Sequence, residues 1–217
     1  MGTVTATSPA IGLRIRAKGA FFLAFFATTI FAAYEKNSAI FDSASPIAQH
    51  YAPARWILAI HALFGSLAMV VAAFQFSNRL RARYPQWHRI FGYVYVTSVF
   101  IAAPLAFLVS LKISRTFTVV AANGTQSLGW IVTTAIALYC IRRGNVMQHR
   151  RWMIRSYPFA MVFTVVRVVQ TFVPFTRGGR PGTEALVWSS ILLAAFLPTV
   201  FLEWAAIFPE KAPVRHG

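Results

Sequence analysis

The chain has 217 residues, of which 57% are hydrophobic and only 12% charged, with 21 Lys and Arg against 5 Asp and Glu. A soluble domain carries about a quarter charged residues, so this composition excludes an ordinary globule and points to a membrane-embedded chain. A net charge of +16 also occurs in nucleic-acid binders, but these cations sit in short clusters between long apolar runs, which sets membrane orientation and predicts no nucleic-acid partner.

Six apolar runs are predicted to be transmembrane helices, at 19–34, 56–76, 91–111, 127–141, 157–175 and 187–208. About 20 residues cross ~30 Å of hydrocarbon. A tail over 1–18 carries Arg14, Arg16 and Lys18 ahead of the first run, which resembles a signal peptide and is read as an uncleaved span. The loop over 35–55 holds Asp42, His50 and Tyr51, has Pro46 and Pro53 bracketing an irregular segment, and reads as a surface cap. The second run contains His61 and, at its inner end, Gln75, with Gly65, Ala68 and Ala72 permitting close helix approach. In the third, Tyr95 lies near the start and Pro104 in the middle. The fourth is the shortest, recruits 123–126 at its mouth, and holds the single cysteine, Cys140, which excludes an intramolecular disulfide. Pro158 marks the start of the fifth, which carries Arg167, and Pro198 kinks the sixth ahead of a tail over 209–217.

The expected fold is therefore all-α: one membrane domain over 1–217, six spans, a four-helix core over 56–175, and the first and last spans packed outside. With the N-terminus inside, fourteen Lys and Arg fall on cytoplasmic segments and six on outer ones, and Arg167 remains within a span. That asymmetry predicts both termini cytoplasmic in an inner (plasma) membrane, with anionic lipid headgroups against the cytoplasmic face.

Two constellations carry candidate chemistry. One is a pair of cytoplasmic turns, Arg81-Ala-Arg83-Tyr-Pro-Gln-Trp-His88-Arg89 and Arg142-Arg143-Gly-Asn-Val-Met-Gln-His149-Arg150, a faint parallel repeat. His88 and His149 are candidate ligands for a metal or haem iron, with arginines for propionates or phosphates. His88, Gly92 and Tyr95 share a helix face by i, i+4, i+7 spacing. Interface composition explains the arginines and tryptophans of these turns equally well, though not two histidines in matching context. The other constellation is His61 with Arg167. An arginine within a span costs ~2.5–3.5 kcal/mol on insertion scales and marks a functional site by default. The two residues are expected at one depth, with no carboxylate beside them, since Glu203 lies near the cytoplasmic end. Nucleotide-binding glycine loops, zinc-protease helices and serine elbows are absent, and five acidic residues leave almost no material for paired-carboxylate catalysis.

The run Gln75-Phe76 … Leu80-Arg81-x-Arg83-x-Pro85-x-x-His88-Arg89-x-x-Gly92-x-Val94-Tyr95, followed by His149-Arg150-Arg151-Trp152-Met153-x-Arg155-Ser156-Tyr157 and Arg167, resembles a family of predicted bacterial integral membrane proteins known only as a domain of unknown function. The resemblance covers 56–175 and implies a multi-span α-helical fold. The histidine-bearing core is similar in outline to di-haem cytochrome b proteins, which by analogy of fold brings haem b forward as a cofactor. The chain departs from a four-histidine pattern, since its outer side offers His61 and His50 rather than two histidines on facing helices. Two functional classes follow. One is a membrane redox or cofactor-binding protein holding haem, a metal or a quinone, with His61, Gln75, His88, Tyr95, His149 and Arg167 as its site residues. The other is a non-catalytic membrane component, or a small-anion transporter with Arg167 in its pathway.

Overall fold

The computed structural model describes residues 44–114, 116–173 and 180–207, together with Ala27, Phe31 and Tyr34. Among them every regular element is helical. A short α1 (Pro46–Tyr51) and a single 3-10 turn (Ala52–Ala54) lead into α2 (Arg55–Gln75). A short α3 (Asn78–Arg83) precedes α4 (Pro85–Ile113), then come α5 (Phe117–Arg142), α6 (Val146–Phe172) and α7 (Arg180–Ile207). Five helices among the described residues are long and apolar enough to cross a membrane. The expected first span at 19–34 lies outside the described residues but for Ala27, Phe31 and Tyr34.

Successive long helices run antiparallel. α2 packs most extensively on α4, α5 on α6, and α4 on α5, while a lighter contact between α2 and α6 closes the ring. α7 lies against α6 and α5. One apolar cluster threads all five: Ala68 and Val71 from α2, Val99 and Ala102 from α4, Trp130 from α5, Val162 and Val166 from α6, and Val187, Ile191 and Ala194 from α7. The last span is thus continuous with the core.

The closest approach is set by glycine. A Cβ on Gly129 of α5 meets the Phe159 ring of α6 at 2.7 Å, so the ring lies on bare backbone there. Outward-facing positions are apolar, as lipid requires: Leu63, Leu128, Leu193, Phe196 and Phe201 are each more than 60% exposed.

Two helices differ most from the expected runs. α5 reaches from Phe117 to Arg142, so the shortest apolar run belongs to a full-length span. Its run is interrupted because Asn123, Gln126, Ser127, Thr133 and Thr134 occupy its buried face. Each donates to a backbone carbonyl within reach, including Ser127 to Ala103 at 2.8 Å and Gln126 to Phe159 at 3.0 Å, which satisfies these donors in a dry interior, while Gln126 Oε1 finds no partner among the described residues. α6 begins at Val146 rather than near 157, and Pro158 lies inside it. Its polar first turns are helical because their charges have partners: Arg151 and Arg155 both reach Glu203 of α7, and Arg155 also lies over the Trp152 ring.

Candidate functional site

Two tight turns place the histidines. Ser77 caps α3 by accepting from the Leu80 amide at 3.1 Å, and Pro85 occupies the first turn of α4, where a missing N–H costs nothing. At the other turn Gly144 adopts φ 75°, a conformation open to glycine, and Asn145 caps α6 by accepting from the Gln148 amide at 3.1 Å. Each histidine is consequently the fourth residue of its helix, His88 of α4 and His149 of α6. The correspondence continues along both helices. Seven residues beyond them stand Tyr95 and Ser156, whose hydroxyls bond one another across the bundle at 2.7 Å.

The space between the two turns is a cavity of about 640 Å³. His88 and His149 both line it, and they lie close enough to act on one another electrostatically. His149 Nδ1 bonds the Ala137 carbonyl at 2.9 Å. A carbonyl only accepts, so Nδ1 carries the proton and Nε2 keeps its lone pair. The buried Nδ1 of His88 has no hydrogen-bond partner. Gln75 donates to the His88 carbonyl at 2.9 Å, linking α2 to the first turn of α4, and itself forms part of the wall. Arg81, Arg89, Arg142 and Arg150 line the cavity as well, and no carboxylate does. The remaining wall is apolar, from Ala72, Gly92, Val96, Leu138 and Met153. A Cβ on Gly92 meets only Gln75 Oε1, at 3.8 Å, so the glycine leaves open volume in the wall.

Tyr95 stands one layer behind this wall. It is fully buried, and its hydroxyl also accepts from Trp130 Nε1 at 3.1 Å, while Thr134 bonds Ser156 at 2.7 Å. This hydroxyl cluster ties α4, α5 and α6 together directly beneath the cavity.

His61 and Arg167 lie elsewhere, toward the opposite end of the bundle. They are near enough to interact electrostatically, and Arg167 also feels Tyr51. Thr164 of α6 contacts Met69 of α2 at 3.5 Å between this pair and the cavity end. His61 Nδ1 is held by the Ala102 carbonyl at 2.9 Å, so one ring nitrogen serves as a clamp between α2 and α4. Glu184, which sequence reasoning passed over, stands early in α7 at this end and accepts from Thr116 at 2.9 Å, making no ion pair among the described residues. Of the outer loop, His50 stacks edge-on against Tyr51, and Asp42 lies outside the described residues.

No group of three or more His, Cys, Asp or Glu among the described residues is arranged to hold a metal ion. A family model described as "Predicted membrane protein (DUF2306)" matches residues 58–207. Neither a curated protein nor a solved structure matches the chain.

Proposed function

Because the chain belongs to this family of predicted membrane proteins, whose description carries no chemistry, we propose from the cavity itself that the protein binds a redox cofactor between its two His-Arg turns. The observation that carries the reading is the convergence of two imidazoles on one apolar, arginine-rimmed space of about 640 Å³, within the range of cofactor sites. A bare metal ion takes three or four protein ligands, and only two imidazoles stand here. A metal that brings its own equatorial ligands needs no more than two, which favours haem b. The residues present fit that group. The His149 Nδ1–H on a backbone carbonyl is the support a ligating imidazole takes, leaving Nε2 to coordinate. His88 would be the second ligand, and Arg81, Arg89, Arg142 and Arg150 would offer charge-assisted hydrogen bonds to propionates. Bound haem supplies one-electron chemistry; the chain holds it, orients it and keeps it apolar.

In this reading the molecule has six spans with both termini cytoplasmic, four helices (α2, α4, α5 and α6) enclose the site, and the basic turns rest on anionic headgroups. The small-anion reading keeps one point in its favour, the Arg167 guanidinium, which bonds no described residue. Optical titration with haem tests the main reading. Gly92→Leu fills the cavity without displacing a neighbour at its Cβ, so it should abolish binding while shifting stability by about 0.5 kcal/mol or less, as surface-like substitutions do. Equal haem binding by the wild type and Gly92→Leu rejects the cavity as the site.

A further inference from the structure

Between α2 and α6, Phe76 and Tyr157 meet edge to face across one flank of the cavity, with ring centroids 5.2 Å apart. Between α4 and α5 side chains meet at Phe107 and Gly124, at Ala103 and Ser127, and at Tyr95 and Trp130. Toward the two turns the cavity wall takes Tyr93 of α4 and Ile141 of α5, and both stay exposed, at 62% and 39%, so the wall on this side is also outer surface. Tyr93 lies about 12 Å along α4 from Pro85, and α4 is about 43 Å long, so in a ~30 Å hydrocarbon layer this wall straddles the boundary between headgroups and acyl chains. At that level the arginines and histidines face the headgroup side and Val96 and Leu138 the acyl side.

Resting on the proposed role of this cavity, we infer that its ligand is an anionic amphiphile taken from the bilayer, which enters sideways between α4 and α5. The anionic end goes to Arg89 and Arg142, and the apolar body trails through the gap into lipid. Haem is one ligand of this class. A water-borne ion or nucleotide is not, because the apolar half of the wall leaves nothing to replace its hydration.

A phospholipid with a maleimide headgroup tests the route, since such a reagent arrives only through the membrane. In a Cys140→Ser background, Gly92→Cys puts a thiol on the cavity wall and Val99→Cys puts one in the closed core of the same helix. Vesicle-embedded protein carrying Gly92→Cys should gain the mass of one lipid, Val99→Cys none, and adding Leu138→Trp across the gap should abolish the adduct. Val96→Cys repeats the test should Gly92→Cys fail to accumulate. The inference is overturned if the cavity thiol reacts with a water-soluble maleimide but not the lipid, if it reacts with neither, or if Leu138→Trp leaves labelling unchanged. The adduct is read without haem, so failure of the cofactor assignment leaves this result interpretable.

Discussion

The chain's three described intramembrane or interfacial histidines outside the outer loop take different duties, set by what each Nδ1 can reach. Those of His61 and His149 each find a backbone carbonyl, at 2.9 Å in both cases, while that of His88 is buried and alone. Only His88 and His149 share a cavity. The sequence context already singled these two out, through basic residues, a His-Arg step and a tyrosine at similar spacing in each turn. Tautomers and Gly92 as open wall were not legible, because both depend on helices far apart in the chain. Arg167 falls between the two cases: spacing placed it within a span and beside His61 of α2, but gave no sign of Tyr51 of α1. Because Arg167 is not part of the cavity wall, Arg167→Lys should preserve membrane yield and cofactor binding, since lysine keeps the charge and can snorkel. Yield and elution profile in detergent check this. If lysine fails as badly as leucine, the guanidinium fork itself is in use, and a bidentate anion site exists at that end.

Among the elements, α5 and α6 were the hardest to read. A search for apolar runs finds the part of a helix that meets lipid, and misses both the buried polar face of α5 and the charged first turns of α6. Those polar side chains are accommodated by interhelical bonds that no single segment announces: Ser127 to α4, Gln126 to α6, and Arg151 and Arg155 to Glu203 of α7. The same pair of helices offers the sharpest stability test. Gly129→Ala forces a methyl into the Phe159 ring, with 2.7 Å available, in a core where Phe159 is 6% exposed. Overpacking of this kind typically costs about 1–3 kcal/mol. Thermal unfolding in detergent should record that loss, and Phe159→Leu introduced alongside should recover part of it. No loss in Gly129→Ala means that α5 and α6 are free to separate.

For the whole molecule, the two hairpins α2–α4 and α5–α6 repeat one plan, with turns at the same end, a histidine at the fourth position of the second helix, and Tyr95 meeting Ser156 where the halves face each other. An axis along the membrane normal relates such parallel halves. Nine arginines between Arg79 and Arg155 crowd this end, which the charge rule assigns to the cytoplasm. Met147, 65% exposed beside the second turn, provides the check. In a Cys140→Ser background, Met147→Cys should resist an impermeant thiol reagent on intact cells and react in inverted vesicles, and the reverse pattern turns the molecule over.

The central claim is that the two turns hold one cofactor together, and the reduced-minus-oxidised visible spectrum of protein purified from haem-supplied membranes addresses it most directly. The wild type should show the Soret and α bands of a six-coordinate haem, His149→Ala and His88→Ala should each lose six-coordination, and His61→Ala should keep it. A colourless wild-type protein, or bands that persist unchanged when both His88 and His149 are replaced, contradicts the account.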